Sequence, residues 1–425
     1  MSLAVVFVVL VLAYSLISRR LERVIFTAPI LFTSAGMLTV ILGPELRSHH
    51  GGLELFLKVA ELGLVLLLFT DASRTDLGVL RSIRNVPARL LSAGMLLTIL
   101  LGAAAAKLVF PALSWWEAGI LAAILAPTDA GLGQIIVNSP LVPMKIRQAL
   151  NVEAGLNDGL SVPFLLFFIA LAGGGAAEGH ERLFTFIVEQ LGYGALLGIG
   201  IGLIGGWMLG IAHRRGWVAH AWLPLGVVML PVLYWLLSES IGASMFIAAF
   251  VGGLAVQIGF KDVAKQSVEF TEGWGQLFNL AVFFLFGMKV AQAWPQFGWD
   301  HVVYAILSLT VIRMLPVSIA LAGTGLSRVT RVFMGWFGPR GLASIVLGLV
   351  YLEEAGGRAV GSAIPLAVMV AVLASIFAHG LSALPGMEMY ARAVRAMPPD
   401  APELQSNGTD ADRKTVDSNI ASKSV

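Results

Sequence analysis

The sequence predicts an all-α polytopic membrane protein of about thirteen transmembrane helices, built as two inverted six-helix repeats whose crossing helices, spans five and twelve, are broken. Three observations carry this prediction. The chain is 57% hydrophobic and only 13% charged over 425 residues, with a mean hydropathy of +0.84, whereas a soluble domain is roughly a quarter charged. Apolar runs of about 20 residues, the length a bilayer requires, recur along the chain. Basic residues then alternate between successive loops.

The runs lie near 2–18, 24–42, 53–71, 88–110, 115–138, 146–171, 183–211, 220–238, 242–258, 272–292, 299–322, 331–352 and 361–384. The first, "LAVVFVVLVLAYSLI", has no basic residue before it, and Arg19, Arg20 and Arg23 follow it. A signal peptide has the reverse order, so a retained span with its N-terminus outside is expected. Spans three and ten are amphipathic and the weakest of the set. Odd-numbered loops hold fifteen Lys or Arg, among them Arg74, Arg81, Arg84, Lys145, Arg147, Arg214, Arg215, Arg328 and Arg331. Even-numbered loops hold three, Arg47, Arg182 and Arg358, with Lys107 and Lys289 near span ends. The positive-inside rule places odd loops and the C-terminus in the cytoplasm. A wrong helix count would scramble this alternation. The polar stretch 396–425, which contains "MPPDAPEL", reads as disordered, and a cytoplasmic tail is expected over 391–425.

Span five is interrupted by "APTDAGLG" (126–133) and span twelve by "WFGPRGLAS" (336–344). With span seven as a linker, spans 1–6 and 8–13 form two halves in opposite orientation. The two interruptions then occupy corresponding positions. Paired broken helices of this kind point to a transport site at the bilayer midplane.

Composition excludes much chemistry. The chain has no cysteine, hence no disulfide, thiolate metal site or cysteine nucleophile. Its seven histidines are scattered without ligand spacing. No cofactor is expected, and no phosphate loop is present: the glycines of "GYGALLGIGIGLIGG" are not followed by Gly-Lys-Ser/Thr and suit close helix packing.

What remains is a set of ionisable side chains at membrane depth, which by default mark ion or proton paths. In "NVEAGLNDGL" (151–160) of span six, Glu153 and Asn157 stack at i and i+4, and Asp158 points about 100° away from Asn157. In span five, Pro127 frees carbonyls, with Thr128 and Asp129 beside them; a hard cation wants such oxygen ligands. Arg340 and Arg313 lie deep in spans twelve and eleven and stay charged. They need acids, carbonyls or dipoles as partners, with Glu153, Asn157 and the helix ends at the breaks as candidates, and they are expected to hold the site rather than carry the proton. Asp71 reads as a helix-end or vestibule residue. Glu61 and Lys58 read as facing water or the other half, and Lys289 as snorkelling.

"NVEAGLNDG", with an upstream "APTDA" and a downstream "GPRG", resembles the sodium/proton exchanger family, the monovalent cation/proton antiporters of cation:proton antiporter family 1. The resemblance covers 1–390 in helix number and motif order. It implies that Asp158 binds cation or proton in turn, and that Asp129 and Thr128 are ligands from the unwound helix. It further implies that Glu153 pairs with an arginine, Arg313, and that Asn157 and Arg340 brace the crossing. A homodimer is implied, with a scaffold of spans 1–3 and 8–10, a moving core of spans 4–6 and 11–13, and span seven as linker. Family members often carry Ser directly after the Glu; Ala154 stands here, with Ser161 a possible substitute, which leaves Na⁺, K⁺ and Li⁺ open. Asn157 in place of a second acid implies electroneutral exchange of one cation for one proton. The expected function is therefore secondary active antiport in the cell membrane, contributing to pH homeostasis, with no enzymatic activity and no nucleic-acid partner. The rival readings are an organic-anion transporter on the same fold, which would want unpaired cationic groups, and, more remotely, an intramembrane aspartyl protease using Asp129 and Asp158, which would want Gly-x-Gly-Asp. A cation channel would be revealed by flux above carrier rates.

Overall fold

The computed structural model describes residues 3–21, 27–43, 53–74, 85–175, 192–219, 221–260, 263–355 and 362–404. Among these residues every regular element is helical, and thirteen helical passages follow in order. They are α1 (Leu3–Leu21), α2 (Ala28–Leu42), α3 (Leu53–Arg74), α4 (Asn85–Val109), the pair α5a (Trp115–Ile124) and α5b (Ala130–Val137), and α6 (Met144–Ala170). Then come α7 (Gly194–Arg214), α8 (Trp222–Ile241), α9 (Met245–Gly259), α10 (Val263–Ala293), α11 (Trp299–Ala320), the pair α12a (Arg328–Trp336) and α12b (Leu342–Glu354), and α13 (Ala363–Arg395). Seven of these are long and apolar enough to cross a membrane by length and composition. The expected start of span seven, 183–191, and the 44–52 and 75–84 loops lie outside the described residues.

Two packing groups organise the passages. Helices α2, α3, α7, α8, α9 and α10 pack mainly on one another, and α4, α5a, α6, α11 and α13 form the second group. Helix α3 lies between them, touching α8, α9 and α10 on one side and α6 and α12b on the other. This position explains its weak membrane signal: it meets protein on several sides, so it can carry Glu61, whose Oε2 accepts the Trp235 indole N–H at 3.3 Å. Helices α7 and α9 meet along Gly194, Gly198, Gly202, Gly206 and Gly210, all buried. A Cβ on Gly202 would stand 2.7 Å from the Gly252 carbonyl oxygen, so this seam requires glycine. Six of the eight exposed tryptophans lie near helix ends, with Trp115, Trp116, Trp294 and Trp299 towards one side and Trp217 and Trp222 towards the other, while Trp207 and Trp274 lie within helices. That is the distribution of two interfacial belts.

The helices depart from regular spans at three places. Helix α11 is broken at Thr310 (φ −109°, ψ −93°), where its hydroxyl back-bonds to the Ile306 carbonyl at 2.6 Å. Helix α4 contains a wide turn at Leu90–Gly94. Helix α13 runs beyond the expected 384, through Pro385, to Arg395.

The chain then folds back against α12a, so the expected tail begins later than 391; residues 405–425 lie outside the described set. Glu403 Oε1 accepts the Ser327 backbone N–H at 2.7 Å and the Thr330 hydroxyl at 2.8 Å. Lys145 at the start of α6 donates to the Pro402 carbonyl at 2.9 Å. Burial pushes the Glu403 carboxyl up, but these hydrogen bonds at a helix N-terminus outweigh it and hold the group below the usual glutamate range. A depressed pKa gives a contact fully made above about 4.5 and lost as pH falls through the lower folded value. At neutral pH, Glu403→Ala is expected to speed amide exchange over 396–404 in the full chain; equal exchange in wild type and variant would remove Glu403 as the anchor.

Candidate functional site

The two breaks meet. Pro127 and Pro339, which lack an N–H, each stand between two half-helices. The free backbone groups are then satisfied across the crossing instead of along a helix. The Asp129 backbone N–H donates to the Pro339 carbonyl at 2.8 Å. Each Asp129 oxygen caps one half-helix: Oδ1 accepts from Leu132 N–H at 2.9 Å and Oδ2 from Leu342 N–H at 2.5 Å. Acid thus sits at the N-terminal ends of α5b and α12b, where the helix dipoles favour it. Arg340, fully buried at 0% exposure, does the converse. Its Nη1 donates to the Ala126 and Pro127 carbonyls, both at 3.1 Å, beyond the C-terminal end of α5a.

The "GPRG" motif serves these approaches. A Cβ on Gly338 would overlap the Arg313 guanidinium, and one on Gly341 would overlap the Asp129 carboxylate. Gly341→Ala is therefore expected to displace Asp129 and reduce transport by at least about tenfold, a loss of some 1.4 kcal/mol in a rate-limiting interaction. Unchanged flux in a folded Gly341→Ala protein would contradict the close fit.

Helix α6 supplies the rest. Glu153 and Arg313 are joined at 2.6 Å, both buried. Asn157 Nδ2 donates to Thr128 Oγ1 at 2.8 Å. The expectation that Asn157 and Arg340 brace the crossing thus resolves into separate contacts: each engages the α5 break, and neither engages the other. Ser161 donates its hydroxyl to the Asp158 backbone carbonyl at 2.7 Å, so that proton is not directed at the carboxylate. Asp158 is half-buried, and its Oδ1 has no hydrogen-bond partner among the described residues. A cleft at the crossing is lined by Thr128, Asp129 and Pro339 at one end and by Ala154, Leu150 and Val137 towards the 138–143 turn.

Three residues enter the site that the sequence did not single out for it. Asp71 of α3 lies over Gly155, one turn before Asp158; a Cβ on Gly155 would be 3.4 Å from the Asp71 Cβ. Read in sequence as a helix end, it is close enough to Asp158 for the two charges to interact. Ser375 and His379 of α13 lace the α12 break. Arg340 N–H donates to Ser375 Oγ at 2.6 Å, and Ser375 Oγ meets His379 Nδ1 at 3.0 Å. His379 Nε2 lies 2.8 Å from the Trp336 carbonyl. Nδ1 also lies 3.0 Å from the Ser375 backbone carbonyl, so each ring nitrogen faces a carbonyl oxygen and the imidazole ties α13 to the end of α12a. Their i, i+4 spacing was visible in the sequence, but nothing there linked it to the distant break.

A family model described as sodium/hydrogen exchanger, transmembrane, matches residues 3–387. A K(+)/H(+) antiporter NhaP of Alkalimonas amylolytica is 25% identical over 297 residues, covering 68% of this chain and 50% of that protein. A Na(+)/H(+) antiporter NhaH of Halobacillus aidingensis is 27% identical over 284 residues, covering 62% and 66%. The chain therefore spans about half to two thirds of the length of these relatives. The structure of the sodium proton antiporter MjNhaP1 from Methanocaldococcus jannaschii at pH 8 superposes with a TM-score of 0.72 at 18% identity, over 91% of this chain and all of that one.

Proposed function

We propose that this chain, which belongs to the sodium/hydrogen exchanger family, exchanges a monovalent cation for a proton across a membrane by alternating access around Asp158. One observation carries the reading. At the crossing, Asp129 is engaged by two backbone N–H groups and Glu153 by Arg313, while Asp158 Oδ1 has no hydrogen-bond partner among the described residues. A carboxylate left in this condition at membrane depth is suited to a ligand that neutralises it.

In this reading Asp158 takes a proton or a cation, never both. Thr128 and the lone pairs that remain on Asp129 complete the oxygen set. Glu153, Asn157, Arg313 and Arg340 hold the two half-helix ends in register. The second packing group, with α12, moves as a core against the first, and only when Asp158 is neutralised; that condition couples the two fluxes. The cleft towards the 138–143 turn would open to the cytoplasm, with the N-terminus outside and the C-terminus inside, in a cell membrane and as a homodimer. The named relatives exchange Na⁺ or K⁺; Na⁺ is the first candidate here, with K⁺ and Li⁺ beside it. An organic-anion substrate is disfavoured because Arg340 and Arg313 are both engaged by protein groups.

The test is proton flux in proteoliposomes on adding Na⁺, K⁺ or Li⁺, with and without an imposed membrane potential. At least one cation is expected to collapse the pH gradient. With one cation exchanged for one proton the rate should not follow the potential, since moving a net charge would couple it to the field. A reversal point that shifts with voltage would reject the one-for-one exchange.

A further inference from the structure

A carboxamide from the other packing group reaches the crossing. Asn279 lies on α10, which packs chiefly on α2 and α3. Yet the point where a Cβ on Gly131 would stand is 3.5 Å from Asn279 Nδ2 and 3.0 Å from Asp129 Oδ1. The two side chains therefore flank one small space at the start of α5b, and Gly131 leaves that space open and exposed. Asn279 Oδ1 is buried and has no hydrogen-bond partner among the described residues. A buried amide oxygen without a partner is costly and calls for an explanation.

The amide's orientation follows from charge. An oxygen turned towards the Asp129 carboxylate would be repelled, so the NH₂ end belongs on that side. The terminal torsion of asparagine is broad and roughly two-fold. Because the oxygen makes no protein hydrogen bond, turning it costs none. The same amide can offer N–H to a carboxylate alone, or its oxygen to a cation held by that carboxylate.

We propose that Asn279 is a further ligand of the transported cation, supplied by the scaffold group, and that it contributes to choosing among Na⁺, K⁺ and Li⁺. The inference rests on the antiport reading above. It adds an oxygen that stays behind when the core moves, so the cation would be bound more tightly in one facing than in the other. Ala154 lines the cleft without a side-chain oxygen, and Asn279 would supply one from beside Gly131.

The experiment compares full-length wild type, Asn279→Ala and Asn279→Asp in proteoliposomes, reading apparent KM and maximal rate for Na⁺, K⁺ and Li⁺. Folding is checked by monodispersity and melting temperature. Asn279→Ala is expected to raise KM for the preferred cation on the order of tenfold, as for loss of a contact to a charged group. Its maximal rate should stay within about twofold, the ratio among the cations should change, and Asn279→Asp, which keeps an oxygen, should recover the affinity. Unchanged KM and cation ratio in Asn279→Ala would overturn the inference, as would an equal rise in both variants, which marks a packing role. Asp158→Asn is run beside them: activity there sinks the site and this inference together. Silence there with unchanged KM in Asn279→Ala sinks the inference alone.

Discussion

Asp158→Asn is expected to abolish cation-coupled proton flux while leaving a folded protein. The substitution keeps size and shape, and Asp158 Oδ1 makes no hydrogen bond among the described residues that the change would break. What it removes is the negative charge. A neutral amide has no charge for a proton or a cation to neutralise, so in the proposed mechanism neither substrate could license the movement of the core. Residual flux should fall to the level of protein-free vesicles at every pH tested. The melting temperature should stay within a few degrees, as for substitutions that disturb no packing or paired group. Retained exchange in Asp158→Asn would transfer the role to Asp129 or Asp71, the two acids nearest it.

The second large effect concerns the Arg313–Glu153 pair. Both side chains are buried and joined at 2.6 Å. Removing one partner strands the other charge at membrane depth, at a cost of about 3–5 kcal/mol. Glu153→Ala and Arg313→Ala are each expected to give a protein of sharply lower melting temperature, with flux lost through instability. The double variant Glu153→Leu/Arg313→Leu strands no charge and should recover much of the stability, because apolar replacement of a buried pair is often neutral. The comparison separates bracing from ion binding. If the double variant is stable and still exchanges, the pair is structural; if it is stable and silent, Glu153 also takes part in transport. Equal melting temperatures for wild type and both single variants would contradict the buried pair.

Much of this architecture was legible from the sequence because membranes impose simple constraints. Backbone groups in lipid must be satisfied within helices, so apolar length and loop charge locate the passages. The same constraint makes "APTDAG" and "GPRG" conspicuous, since a proline at depth must be compensated by something. The pairing of Glu153 with Arg313 was implied by the family resemblance, and the 2.6 Å contact agrees with the rule that buried charges pair.

The misses share another cause: their partners are backbone atoms or lie far away in sequence. Arg340 was expected to want acids, carbonyls or dipoles, with the helix ends at the breaks among the candidates, and of these it uses the Ala126 and Pro127 carbonyls. A carbonyl carries no side-chain signature. Asp129 was read as an ion ligand from an unwound helix, and its oxygens also cap two half-helices, one of them from a helix more than two hundred residues on. Asp71 was read as a helix-end or vestibule residue, and Asn279 of the amphipathic tenth span was not singled out. Only the packing of α3 and α10 brings them to the crossing. The start of the tail read as disordered because it is polar and proline-led, whereas Glu403 finds unsatisfied donors at the α12a N-terminus.

The central claim is that proton and cation share Asp158. It is tested most directly by the apparent KM of wild-type protein for its preferred cation, measured in proteoliposomes across a range of pH. Competition for one carboxylate predicts that KM rises as pH falls, approaching tenfold per pH unit on the acid side, since each tenfold rise in competing proton demands tenfold more cation. The maximal rate at saturating cation should stay level over that range. A KM that does not change with pH, alongside a maximal rate that does, would place proton and cation on separate groups and contradict the account.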